Sequence, residues 1–415
     1  MTCEETTPGP VAVGTIAAKN YLSFARVLAR SFLAHHPRVP FFLVLSDEVD
    51  GAFDPAAEPF RLLHLEELGI PHLRRFCFRY SRQQVAVAAK SYLVGHLLDR
   101  GFERAVFLDA DVLVLSDLTP LLAPADPRSI MLTPHLLAPL AGAERAAREL
   151  NILQSGVYNA GFVGVSDTPA ARRFLAWWQD RVYLHCRHAL AEGLHNDQRW
   201  LDLVPAFFED VCILRDPGCN VAHWNLPERE IQVCQGAVLV DGRPCRFFHF
   251  SGFRPEEPQT VTKHSRRLTM ADIGPAARLF ERYASLLAAA GCQETRSWPY
   301  AYGFFDNGVA IPDVAREIYL ELGEAVGPFG DPFRAAGPHS YFHWLDQPVD
   351  EFPDPCRKVT RLWQAVYRRR PDVERAFPDL LGADRDAFLA WTASSGAREH
   401  AIPERFLNGS PASFV

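Results

Sequence analysis

No apolar run in the 415 residues is long enough to cross a bilayer. A secretory pattern is missing as well: Met1 to Pro10 is polar and holds Glu4 and Glu5, so the expected location is cytoplasmic. Paired cysteines are absent. The nine cysteines are odd in number, scattered and never spaced C-x-x-C, which excludes a zinc-ribbon pattern and fits reduced thiols. There is no basic excess, since 43 Lys and Arg against 50 Asp and Glu leave a net charge of −7, which argues against nucleic acid as a partner. What is present is the composition of a soluble globular protein, 48% hydrophobic and 22% charged. The length exceeds the roughly 250–300 residues at which one core stops growing, so more than one domain is expected.

Strand and helix patterns alternate from the start. Residues 11–16 read as a strand, 17–20 as a polar break and 21–35 as a helix. Residues 41–46 and 60–65 read as strands, and 85–98 as a helix carrying Lys90 among Leu93, Val94 and Leu97. This βαβα order predicts an α/β fold with a mainly parallel, Rossmann-like sheet. Further strands are expected at 129–133, 158–165 and 211–214, and helices at 144–150 and 168–194. His185 and His188 stand three apart on the last of these and, lacking an acidic or thiol partner nearby, read as surface residues.

The chain is organised around residues 105–118, an apolar run that holds Asp109 and Asp111. Residues two apart on a strand share a face, so both carboxylates are expected on one side of a buried strand. A buried carboxylate is costly unless it is paired or binds a metal. A strand that ends here and gives both oxygens to a divalent cation satisfies that cost. A strand-end pair satisfied by backbone N–H groups or an arginine is the plainer reading.

Phe107-Leu108-Asp109-Ala110-Asp111-Val112 resembles the Asp-x-Asp motif of GT-A glycosyltransferases, closest to family 8, the glycogenin and lipopolysaccharide galactosyltransferase type. In that family the motif holds Mn²⁺ against the diphosphate of a nucleotide-sugar. Three further segments extend the resemblance, which covers about residues 10–270. Tyr158-Asn159-Ala160-Gly161 is similar to the family's Asn-Ala-Gly strand, which places Asn159 and Ala160 near the donor sugar. His195-Asn196-Asp197-Gln198 is similar to its Asp-Gln turn, beside the transferred sugar and opening a helix; Asp197 and Gln198 are then the catalytic candidates, and a capping role is compatible. His249-Phe250-Ser251-Gly252 matches a His-x-x-Gly, with His249 as third metal ligand; the plainer reading is a core histidine.

By the same resemblance, Thr15, Asn20 and Tyr21 contact the donor's base and ribose, and Lys90 reaches the donor. A helix-start aromatic and a surface lysine are the alternatives for Tyr21 and Lys90. Arg254 and Lys263 are candidates to neutralise the diphosphate, although Phe253-Arg254-Pro255 departs from the family's usual Lys-Pro-Trp. The implied activity is transfer of a hexose, from a UDP-sugar foremost, to a glycan, lipid-linked or protein acceptor in polysaccharide biosynthesis, with retained anomeric configuration. Mn²⁺ is the implied cofactor, with Mg²⁺ second. There is no transmembrane segment, and peripheral membrane contact stays open. A haloacid dehalogenase-like phosphohydrolase also uses a strand followed by Asp-x-Asp, though after its first strand. A silent glycan-binding protein is the third class.

The GT-A catalytic domain is expected over residues 10–290 and a helix-rich extension over 291–415. The extension is rich in aromatics and broken by Pro and Gly, with helices expected at 359–368 and 385–394. Its aromatics serve either packing, the favoured reading, or acceptor binding.

Overall fold

The computed structural model describes residues 10–123, 129–234, 236–354 and 357–407. It divides into two compact units. One runs to Ile70 and resumes over Gln84–Pro299; the other joins Pro71–Gln83 to the chain from Tyr300 onward.

Among its described residues the first unit holds fourteen strands in chain order. They are β1 (Val11–Ala17), β2 (Phe41–Leu45), β3 (Arg61–His64), β4 (Arg104–Leu108), β5 (Val112–Val114), β6 (Ile130–Pro134) and β7 (Tyr158–Ser166). Then come β8 (His188–Ala189), β9 (Leu194–His195), β10 (Val211–Ile213), β11 (Ile231–Cys234), β12 (Ala237–Val240), β13 (Arg243–Pro244) and β14 (Phe247–His249). Seven form the central sheet in the order β10-β6-β7-β4-β1-β2-β3. Only β7 runs antiparallel to its sheet neighbours. The fold is therefore α/β with a mainly parallel sheet.

Near-continuous apolar runs make strands that are buried on both faces. β1, β2 and β4 are buried along their whole lengths. The side chains alternate between two helices. Val11 and Val13 join the core with Phe24, Leu28 and Phe32 of the helix Leu22–His35. Gly14 points the other way, where a Cβ would stand 3.0 Å from Leu93 in the helix Lys90–Asp99. The absence of a side chain at Gly14 lets that helix lie close on the sheet.

Several expected elements change in detail. Residues 105–118 do not form one strand. β4 ends at Leu108, the chain turns through Asp109–Asp111 with Val112 N–H donating to the Asp109 carbonyl at 3.1 Å, and β5 leaves the central sheet to pair antiparallel with β14. The two aspartates thus share a turn, and the same-face argument for a strand does not apply to them. The expected helix over 85–98 is two helices, Arg82–Ala88 and Lys90–Asp99, so Lys90 opens a first turn. The expected helix over 168–194 stops at His185, because Cys186 takes a non-helical backbone and the chain reverses through Gly193 at φ +76°. His188 therefore lies off that helix, on β8 opposite His195 of β9.

The second unit holds short helices, among them Leu73–Arg79, Asp313–Glu321, Tyr341–Leu345, Arg361–Arg368 and Arg385–Trp391. Its aromatics pack on one another. The ring of Phe78 lies 4.9 Å from Tyr319, 5.0 Å from Phe333 and 5.5 Å from Tyr341. Edge-to-face pairs at such distances are a packing arrangement.

Candidate active site

The sheet topology gathers the site at one edge. In open parallel sheets that edge lies beyond the carboxyl ends of the strands. Asp109 is the first residue after β4, the fourth of seven strands across the sheet, and its N–H donates to the Gly161 carbonyl at 2.9 Å. Because β7 runs the opposite way, its beginning meets the end of β4, which carries Asn159, Ala160 and Gly161 to Asp109. β6 ends at the same place and delivers His135.

His249 comes from far along the chain by a separate route. β14 pairs with β5 so that His249 faces Val112, the residue after Asp111. Its backbone is fixed by an N–H donated to the Val221 carbonyl at 2.8 Å, and the next N–H, of Phe250, donates to the Asp111 carbonyl at 2.9 Å. Its Nε2 then lies 3.0 Å from Asp111 Oδ1 and 3.8 Å from Asp109 Oδ2. One ligand atom from each of Asp109, Asp111 and His249 falls within 4.8 Å of the others. Gly161 is required beneath them: a Cβ there would stand 2.5 Å from His249 Cε1 and 2.9 Å from Asp109 Oδ2.

The donor set fits a divalent cation. Asp109, Asp111 and Asp197 bring three carboxylates, and Lys90 alone brings a fixed positive charge, with Nζ 3.0 Å from Asp109 and 3.2 Å from Asp197. With His249 neutral, two negative charges stay uncompensated in a largely buried place. Burial opposes protonation of His249, but the adjoining Asp111 overcomes it and raises the imidazole pKa. Burial likewise opposes ionisation of Asp111, and His249 holds that carboxyl below its usual range. Two oxygens and an imidazole nitrogen suit Mn²⁺ better than Mg²⁺.

Lys90 is 3% exposed and also donates to the Ala160 carbonyl at 3.1 Å. Burial works against its charge, and Asp109 and Asp197 more than restore it. Asp197 is pushed up to about 6, because burial outweighs the help of Lys90 and Asp109 repels it. It does not cap the helix it precedes, whose cap position makes no side-chain bond; its carboxylate turns to Lys90 instead. Gln198 is the hub of a hydrogen-bond network beside the cluster. Its Oε1 accepts from Asn159 Nδ2 at 3.0 Å and from Ala160 N–H at 3.1 Å, and its Nε2 donates to the Ser155 carbonyl at 2.8 Å. The Ala160 N–H is free for it because the β6–β7 register slips between Leu132 and Thr133.

The three base-site candidates stand in different surroundings. Thr15 is fully buried inside β1, and its hydroxyl has no partner among the described residues. Asn20 is half-buried in the turn Lys19–Tyr21. Tyr21 stacks on Phe24 at 4.3 Å, and its hydroxyl is pushed up to about 12, first by burial and then by Asp111. Arg254 is exposed and bound to Glu257 at 3.2 Å, while Lys263 is exposed.

A second ring of residues had no individual role in the sequence reading, which matched residues 218–226 by resemblance only as a segment near the acceptor side. Asn220 Oδ1 accepts from His249 Nδ1 at 3.2 Å, which turns Nε2 toward the carboxylates. Asn220 adopts φ +50°, a conformation Asn tolerates better than most residues. The ring of Trp224 meets His249 edge-on at 5.3 Å. His135 donates from Nδ1 to the Val157 carbonyl at 3.3 Å and faces Asn159 Nδ2 with Nε2 at 3.3 Å; burial pushes it down to about 4. A histidine just past a strand's carboxyl end was open to the argument used for Asp109; Asn220 left no such signal. Asn159, Gln198, His135, His195, His223 and Trp224 share the wall of a cavity of about 570 Å³.

The chain is thus an α/β protein with an Asp-Asp-His cluster at the edge of its central sheet. No protein-family model matches the chain. It is 33% identical over 156 residues to the uncharacterised protein YfnF of Bacillus subtilis (strain 168), covering 37% of this chain and 50% of that protein. It is 25% identical over 202 residues to the uncharacterised protein YfnD of the same organism, covering 47% and 62%. The chain thus spans 50% to 62% of the length of these curated relatives. Among solved structures it is similar to the galactosyltransferase LgtC in complex with donor and acceptor sugar analogues, with TM-score 0.38, 18% identity, and coverage of 66% of this chain and 95% of that one. It is also similar to the glycosyltransferase GlyE of Streptococcus pneumoniae TIGR4, with TM-score 0.37, 12% identity, and coverage of 71% and 67%. Mouse xyloside xylosyltransferase 1 has TM-score 0.36, 13% identity, and coverage of 58% and 97%.

Proposed function

We propose that this chain is a metal-dependent glycosyltransferase that moves a hexose from a nucleoside-diphosphate sugar, a UDP-sugar foremost, to a hydroxyl of a glycan, lipid-linked or protein acceptor. The observation that carries the proposal is the convergence of Asp109, Asp111 and His249 within 4.8 Å at the carboxyl edge of a central strand. These three residues would hold Mn²⁺. The cation supplies charge stabilisation to the leaving diphosphate.

The protein's own groups orient and enclose the reactants. Lys90 fixes Asp109 and Asp197 relative to each other. Gln198 has both ends of its amide bound, so its part is to hold Asn159 and Ala160 at the sugar subsite, with Asp197 as the group nearest the reacting carbon. Tyr21, Asn20 and Thr15 are assigned to the nucleoside side, where Tyr21 already senses Asp111. The 570 Å³ cavity bordered by Asn159 and Gln198 receives the acceptor. Positioning a hydroxyl and excluding water are the protein's principal contributions to such a transfer. Retention of configuration is the outcome the family 8 resemblance implies, and a cytoplasmic location suits the seven free cysteines among the described residues.

A phosphohydrolase is disfavoured, because three sheet strands precede β4 in the chain. The deciding experiment incubates the protein with a panel of nucleotide-sugars, Mn²⁺ and candidate acceptors. Release of nucleoside diphosphate with a glycosylated product is expected. Release of inorganic phosphate from phosphate esters instead, or binding of glycans without turnover, would overturn the proposal.

A further inference from the structure

The second unit contains a cavity of about 700 Å³ whose lining shares no residue with the candidate active site. One wall is a face of the helix Arg361–Arg368, where Arg361, Gln364, Ala365 and Arg368 follow at helical spacing. Leu362, Trp363 and Val366 of the same helix are buried on its other side. The face toward the cavity is therefore basic where a packing face would be apolar. Arg361 and Arg368 form no ion pair among the described residues, and the Gln364 side chain has no hydrogen-bond partner there. By contrast, Arg369 is neutralised by Glu317 at 3.0 Å and by Glu321. Ile318, Pro348 and Val349 complete an apolar floor.

Two features prepare this wall for an oxyanion. Arg361 lies over Trp344, with its guanidinium carbon 4.5 Å from the ring centroid, and Trp344 is itself stacked on Tyr341. A stacked guanidinium keeps its in-plane N–H donors open, and that planar fork matches phosphate oxygens. Arg361 and Arg368 stand two turns apart, about 10 Å along the axis, within joint reach of one ligand. The protein as a whole carries a charge of −7, so two uncompensated guanidiniums on one cavity wall are a local reversal of sign.

We infer that this cavity is a second binding site, for a phosphoryl group carried on a larger body: Arg361 and Arg368 grip the phosphate oxygens, Gln364 bonds between them, and the apolar floor receives the rest. The inference is independent of the proposed transfer reaction. The phosphate belongs either to a soluble phosphate ester or to a lipid headgroup.

The test uses the full chain with Asp111→Ala and excess EDTA, so that the cation site takes no part. Calorimetric binding of inorganic pyrophosphate and of a sugar phosphate is compared with sedimentation on vesicles of phosphatidylglycerol and of phosphatidylcholine. Arg361→Glu with Arg368→Glu is expected to weaken binding roughly tenfold or more, and Arg375→Glu, on an exposed helix elsewhere in the unit, to leave it unchanged. Arg361→Gln serves if the double reversal fails to melt cooperatively. Retention on phosphatidylglycerol alone assigns the site to a headgroup; binding of the soluble esters alone assigns it to those. Binding that ignores both arginines, or no binding to any of the probes, overturns the inference.

Discussion

Lys90 in the α/β unit and Arg316 in the helical unit are both buried cations, 3% and 6% exposed, and their surroundings differ in kind. Lys90 lies between the carboxylates of Asp109 and Asp197. Arg316 meets no carboxylate in its hydrogen bonds; it donates to the carbonyls of Cys77, Phe78, Tyr80 and Tyr302 at 2.5 to 3.2 Å. Carboxylates can exchange a lysine for a metal or a proton, so the charge around Lys90 is available to a ligand. Carbonyls cannot, and burial pulls the Arg316 guanidinium below its ordinary pKa, which the charge of Asp313 offsets only in part. One buried cation stands among the carboxylates of the candidate site. The other ties the excursion Pro71–Gln83 to the helices that follow Tyr300.

The contrast predicts opposite responses to mutation. Asp111→Ala removes a proposed ligand from an over-charged site. Turnover of nucleotide-sugar should fall by roughly a thousandfold or more. Thermal midpoint in EDTA should change little, since the loss of the Asp111–His249 pair and the relief of repulsion with Asp109 offset one another. A variant that keeps its turnover would dissolve the distinction.

Arg316→Met should do the reverse. It strips four carbonyls of a donor in a buried place, and the expected cost is about 3–5 kcal/mol in denaturant unfolding. Transfer activity per folded molecule should stay near the parent value. A loss of activity without a loss of stability would make Arg316 part of the catalytic machinery.

Acid should discriminate between the units in the same sense. Burial pushes His135 down to about 4 from an ordinary 6.5, and Asn159 occupies its Nε2. The folded state therefore binds fewer protons than the unfolded state between those values. The stability this neutral form contributes is fully present above about pH 6.5 and is lost as pH falls toward 4, by about 3 kcal/mol. His195 and His223, lowered to about 4 and about 3, act in the same direction. Hydrogen exchange between pH 7 and 4.5 should show β6 and β7 loosening before the helix Asp313–Glu321. The opposite order would remove the acid-sensitive element from the first unit.

What could be read in the sequence followed the range of the forces involved. β1, β2 and β4 were visible because double burial demands an unbroken apolar run, and Asp109 was visible because a carboxylate interrupts one. The shape of the Asp-x-Asp turn was not visible. β5 leaves the sheet because it pairs with β14, more than a hundred residues later, and no local pattern encodes that partner. The end of the helix at His185 was hidden for a similar reason. Its apolar spacing continues past Cys186, and only the pairing of β8 with β9 decides the matter. A capping role was compatible with the position of Asp197, but a buried lysine nearby in space outcompetes backbone N–H groups. In the second unit the aromatic content was plain and its use was not, because mutual ring packing and sugar platforms need the same residues.

Asn220 offers the finest separation between a group that binds and a group that aims. It touches neither carboxylate; its Oδ1 accepts the His249 Nδ1 proton at 3.2 Å and so leaves the Nε2 lone pair directed at Asp111 and Asp109. Alanine is a poor probe here because φ is +50°, which would add backbone strain to any functional loss. Asn220→Gly removes the acceptor without that strain. The Mn²⁺ concentration for half-maximal turnover should rise about 10–100-fold, the usual consequence of losing a partner that orients a metal-binding histidine. Asn220→Asp keeps the acceptor and should stay near the parent value. If the glycine variant titrates with Mn²⁺ as the parent does, His249 is held by β14 alone, and the second ring around the cluster is packing.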